Sequence, residues 1–458
     1  MNFIPTRATV QFLTTVVLLV TVQPALRAQT PSPSFTSPDR AERLRLFDQV
    51  WRAVNDGYHD PRFNGVDWRA QRQIFRPLAE MATNRAELYL VLRRMLGTLG
   101  DAHTRIYSPE ESFDRYHPTG LTVGVTVRPV EGRATITWVE PESEAARAGL
   151  RAGFHLLQID GQPVEQLLDR IRRELVSSST LTAFELQSYD RLFQVGQGTR
   201  VELSYTDDRD HQHTVTLTRR LVEFQRRATA RQLSHRIGYV EVTGFGQEVE
   251  HDFDRAMQQL EETRGLIIDL RNNGGGFVNS VLQIASYFFP EQTDLGEFIT
   301  RDGRSTKRYT GLARLLYRAP VVILVSSRTA SGAEILAAAM QEHQRAVVIG
   351  THESTCGCLL GVSRTIRLAD GGRLNISDTD FRTARGRRIE GRGVKPDSTV
   401  NIRATDLLLG SDQPLLAAFD QLGRRILFGH QHGRIDFSIK LPRDLARDGA
   451  DQTNLRDQ

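Results

Sequence analysis
Two residue types are scarce in this 458-residue chain: there are two cysteines and three lysines. Cys356 and Cys358 are too few for a disulfide scaffold or a cysteine-based structural zinc site. With one residue between them, they are also expected to lie too close for an easy disulfide. Lys307, Lys395 and Lys440 are the only lysines among 59 basic residues, so the positive charge is almost all arginine. It is spread among 55 acids for a net charge of +4, and no basic run interleaves with aromatics, so nucleic acid is not an expected partner. The chain has no HExxH motif and no internal repeats, and neither a metal nor an organic cofactor is expected.

What is present describes a globular chain: 39% apolar and 25% charged residues, long enough for two or three domains. The N-terminus reads as a targeting segment. Arg7 supplies the basic region, residues 10–22 (VQFLTTVVLLVTV) the apolar core, and cleavage fits after Ala28. The apolar run is short for a spanning helix, so membrane association is expected only through an uncleaved N-terminus. A Pro/Ser linker follows to residue 40, and an exported protein, periplasmic or secreted, is expected. Residues 41–116 carry helical periodicity and 117–222 short strands with a polar helical insertion at 165–193. Strand and helix alternate over 223–409, an α/β pattern. Residues 410–458 read as a partly disordered C-terminal extension.

The chemistry centres on residues 321–340, VVILVSSRTASGAEILAAAM. An apolar strand runs through a polar turn into an Ala-rich helix, with Ser331 at the join. The free N–H groups and positive dipole end of a helix start favour an anion there, which suits a nucleophile whose attack creates an oxyanion. Serine at that place is equally a common N-cap. Residues 269–276 (DLRNNGGG) end another apolar strand, and their glycines let backbone N–H groups approach a ligand. Gly274, Gly275 and Gly332 are the candidate oxyanion donors. For a base, His343 lies twelve residues along the helix from Ser331, roughly 18 Å away and out of reach. Spacing alone leaves His352 and His103 both open.

The order of motifs resembles the carboxyl-terminal processing (tail-specific) peptidases, the S41 serine peptidases: GDAHT at 100–104, GLTVGV at 120–125, DLRNNGGG, TASGAE at 329–334 and EGRGVKPD at 390–397. The resemblance implies a crotonase-like peptidase core with an N-terminal helical segment and an inserted PDZ-like domain. That domain would take the C-terminal residues of protein or peptide substrates as an added strand. Phe154 departs from its usual pattern. Most family members pair the serine with a lysine after the next strand; here Cys356 holds that position, and no lysine lies near it. The chain is more similar to the branch that uses Ser–His–Glu. By that resemblance Ser331 is the nucleophile, His103 the base and Glu390 the carboxylate that orients it. The missing lysine also motivates an alternative, a catalytically inactive peptide-binding or scaffold protein. The oligomeric state is not legible in the sequence.

Overall fold
The computed structural model describes residues 39–111, 118–175, 178–194, 196–312, 316–363 and 365–429. The expected signal peptide, most of the linker and the end of the chain lie outside the described residues.

A six-stranded sheet organises the core, in the order Ala228–Leu233, Ile237–Val242, Gly265–Asp269, Val321–Val325, Ala346–Gly350, Ser398–Thr399. The first pair is antiparallel and the rest are parallel. Parallel strands need both faces covered, which is why the central ones read as unbroken apolar runs. Their alternate residues go to opposite sides. Leu266, Ile268, Val321, Ile323 and Val325 pack with Phe253, Val281, Leu336 and Met340 of the helices Gln247–Gln259, Val278–Ser286 and Gly332–Glu342. Ile267, Val322 and Leu324 pack instead with Leu415, Ala418 and Leu422 of the helix Gln413–Gly429. Within the expected C-terminal extension, residues up to Gly429 form this helix, because the strands' second apolar face requires a cover.

The N-terminal region holds three helices, Arg40–Gly57, Trp68–Met81 and Arg85–Gly97, each capped by a polar residue: Asp39, Asp67 and Asn84. They do not close their own core. Leu368, Leu374 and Ile376 from far along the chain pack among Phe47, Trp68, Leu92 and Met95. The hairpin Thr365–Arg367 and Arg373–Asn375 pairs with Arg105–Tyr107.

The strand-rich region forms its own sheet, in the order Val125–Val130, Arg133–Val139, His155–Ile159, Arg200–Thr206, Gln212–Thr218. The expected helical insertion is two helices, Val164–Glu174 and Leu181–Asp190, over this sheet's core. Thr119–Thr122 pairs with Arg220–Glu223, so the chain enters and leaves the region side by side. Phe154 is buried and stacks on Tyr205.

Leu422 is fully buried beneath the sheet. Leu422→Ala is expected to destabilise the fold by about 2–4 kcal/mol, read as a shifted urea midpoint with an unchanged slope.

Candidate active site
The turn after Val321–Val325 is pinned to the glycine loop before any side chain chemistry is considered. Thr329 Oγ1 donates to the carbonyl of Leu270 (2.8 Å), Ser326 Oγ to that of Arg271 (2.5 Å), and the N–H of Ala330 to that of Asn273 (3.0 Å). Asp269, buried at the strand end, accepts from Tyr239 and Arg271, and Arg271 also reaches Asp412 at the start of the C-terminal helix. Both loops are thus anchored from below.

Ser331 precedes the helix Gly332–Glu342 with φ 53° and ψ −120°. An ordinary N-cap residue is extended; a positive φ in a non-glycine residue is strained and persists only where its surroundings impose it. Here the N–H of Ser331 donates to the carbonyl of Cys358 (3.1 Å) and to Glu334 Oε2 (3.0 Å). Glu334 is fully buried and also accepts from Thr355 Oγ1 (2.5 Å) and the N–H groups of Gly357 (2.8 Å) and Cys358 (3.1 Å). Burial pushes its carboxyl up to about 7, against the pull of these donors. The sequence reading passed over Glu334. Its signal was the Ser-x-x-Glu spacing, which aims a glutamate back at the N–H of the helix-start residue.

The glycine loop fits against this turn. Gly275 has φ 95°, and a Cβ there would lie 2.6 Å from that of Ser331. Its N–H already donates to Asn273 Oδ1 (2.8 Å), so the expected donor role of Gly275 does not fit this geometry. The N–H groups of Gly274 and Gly332 have no acceptor among the described residues.

The cysteines require a correction. Cys356 and Cys358 form a disulfide, with 5.2 Å between their Cα atoms. The intervening Gly357 adopts φ 66°, which bends three residues sharply enough to bring two side chains with a single residue between them to bonding distance.

His103 sits in the turn after Gly100, where Asp101 Oδ1 accepts from the N–H groups of His103 (2.6 Å) and Thr104 (3.1 Å). Ala102 beside it packs, with Ala330, on the small cluster of Ala183, Cys356 and Cys358. The fold therefore carries the His103 turn to the Ser331 turn across more than 200 residues of chain. Burial holds the imidazole below its usual range, with Arg105 adding to the depression and Asp101 opposing it. Its Nδ1 is buried without a hydrogen-bond partner among the described residues. Glu390 is buried and accepts from the N–H of Leu359, directly after Cys358 (2.6 Å). Burial pushes it up to about 8, Asp101 and Glu334 add to the rise, and hydrogen bonds from Ser179 and Leu359 oppose it. No hydrogen bond joins His103 to Ser331 or Glu390 among the described residues. Of the other histidines considered, His343 ends the helix and meets the carbonyl of Asp294 (2.8 Å), while His352 meets Thr351 Oγ1 (2.8 Å).

Residues 236–400 match the model of peptidase family S41, and residues 39–97 that of the tricorn protease C1 domain. A carboxyl-terminal-processing protease of Synechocystis sp. is 29% identical over 413 residues, 86% of this chain and 90% of that protein. Among solved structures, the photosystem II D1 C-terminal processing protease aligns with a TM-score of 0.55 at 25% identity, covering 78% of this chain and 93% of its own. Mature CPAF, 15% identical, shares the fold at a TM-score of 0.66, over 86% of this chain and 99% of its own.

The raised carboxyls predict a pH dependence. Glu334 and Glu390 hold their protons more tightly in the fold, at about 7 and about 8, than at the ordinary value of 4.5. The native chain then carries extra protons above that value. Their contribution to stability is full below the ordinary value and is lost as pH climbs through about 7 to 8. Glu390→Gln, which has no proton to lose, should flatten the fall in melting temperature between about pH 5 and about pH 8; an unchanged slope would refute the buried, protonated carboxyl.

Proposed function
The chain is a serine-type peptidase of the S41 kind, and on that premise we propose that it is an exported processing endopeptidase with a Ser331–His103–Glu390 triad. The observation that carries the reading is the turn at Ser331: a strained serine at a helix start, pressed against a glycine loop and backed by a buried carboxylate network.

The steps follow from these groups. Ser331 Oγ attacks the scissile carbonyl while His103 takes its proton, and the oxyanion forms against the N–H groups of Gly332 and Gly274. His103 then protonates the leaving amine, and a water activated by the same imidazole releases the acyl group. Burial keeps His103 neutral near pH 7, as a base must be. Glu390 orients the ring; the imidazolium formed during attack favours its ionised form and draws its pKa down. The contacts among the three tighten once substrate closes the site.

Residues 117–222 act as a PDZ-like recognition module. Val125–Val130 is an edge strand of their sheet, which supports the addition of a substrate C-terminus as a further strand. The basic and apolar N-terminal residues support export. The core follows the crotonase-like plan, for which the alternating strands and helices around the parallel sheet speak.

Ser331→Ala and His103→Ala should each lower kcat/KM on a peptide substrate at least about 1,000-fold, and Glu390→Gln at least about tenfold. A fluorophosphonate should label the wild type but not Ser331→Ala. Full activity in His103→Ala would remove histidine from the mechanism.

A further inference from the structure
The loop of residues 356–358 is bonded to the site on several sides, and nothing in the mechanism above uses its disulfide. All six of its backbone polar groups are engaged. The N–H of Cys356 donates to the carbonyl of Thr329 (3.0 Å), and the carbonyl of Cys358 accepts from Ser331 (3.1 Å), so the loop grips the nucleophile's turn on both sides. The N–H groups of Gly357 and Cys358 donate to Glu334 (2.8 and 3.1 Å). Outward, the carbonyl of Cys356 accepts from Thr180 Oγ1 (2.7 Å), and that of Gly357 from the N–H of Gly391, next to Glu390 (2.9 Å). The loop has no slack: a Cβ on Gly357 would lie 2.8 Å from Thr180 and 2.9 Å from the backbone of Gly393.

A crosslink that spans a single residue restrains the unfolded chain very little, since loop-closure entropy grows with loop length. Its effect must be local. The bond holds Cys356 and Cys358 at the spacing at which one reaches Thr329 and the other Ser331.

We propose that the Cys356–Cys358 disulfide is the positioning element of the nucleophile's turn, so that peptidase activity depends on its oxidised form. The inference rests on Ser331 as nucleophile. A dithiol reductant supplies the chemistry. One of its thiolates attacks a protein sulfur, forming a mixed disulfide and releasing the other cysteine as a thiolate. Its second thiol then attacks the mixed disulfide. The protein gains two electrons and two protons as two thiols, and the reductant leaves as a cyclic disulfide. The freed loop relaxes, and the carbonyl of Cys358 withdraws from Ser331.

The test uses the full chain. After dithiothreitol treatment, alkylation by iodoacetamide and mass measurement establish that both cysteines are free. The kcat and KM on a peptide, and the rate of fluorophosphonate labelling at Ser331, are compared with the oxidised protein. Because a misplacement of about 1 Å costs about 100-fold, kcat and labelling should fall between about tenfold and about 100-fold, with KM within about twofold and far-UV circular dichroism unchanged. Reoxidation with oxidised glutathione should restore both. The double variant Cys356→Ser/Cys358→Ser should start at the low rate and ignore dithiothreitol; it decides the matter if the buried bond resists reduction. Two free cysteines with unchanged kcat overturn the proposal, as does a double variant of wild-type kcat. If the oxidised wild type neither labels nor cleaves, the nucleophile reading falls and takes this inference with it.

Discussion
Glu334 is the group on which the site depends. A carboxylate buried away from water is costly unless its oxygens are satisfied, and this one takes four donors from two stretches of chain: the N–H of Ser331, and the Thr355 hydroxyl with the N–H groups of Gly357 and Cys358. Because all four converge on two oxygens, the position of Ser331 and that of the loop are one quantity rather than two. The positive φ at Ser331 is the strain this convergence imposes. Its burial also explains why the carboxyl is drawn toward its protonated form, which makes the arrangement sensitive to pH near neutrality.

The rest of the molecule carries groups to that point. The parallel sheet ends its strands at Asp269 and Val325, and the two loops leaving them are bonded to each other through Thr329, Ser326 and Ala330. The N-terminal helices are tied to the core by a hairpin that completes their own hydrophobic centre, so the His103 turn has a fixed footing. The same small cluster that holds Ala102 also holds Ala330 and both cysteines. The turns that carry the candidate residues His103 and Ser331 are thus brought together through packing of small residues.

Charge in the site runs against the ordinary state of its residues. Two glutamates are raised and a histidine is lowered, all chiefly by loss of water. Such opposed shifts are consistent with the proposed acid–base role of the site. They also explain why Glu390 rests on a backbone N–H and a serine: burial makes the neutral acid the cheaper form.

Local pattern determined much of this protein. Alternating apolar strands, capped helices, the glycine run and the serine at a helix start are each set by neighbours a few residues away, and they made Ser331 a candidate; His103 and Glu390 followed only from the resemblance to a family, since spacing alone left His352 and His103 both open. Partners distant in sequence were decided only by the tertiary structure. The helix Gln413–Gly429 has meaning as the cover of a sheet's second face. The hairpin at 365–375 completes a core begun at residue 46. The N–H of Gly275 is engaged by Asn273 rather than left free. Cys356 and Cys358, which by spacing alone looked too close to bond, do so because Gly357 takes a left-handed turn between them. Where a backbone bends, and which buried group takes which donor, depends on surroundings that no local stretch of sequence contains.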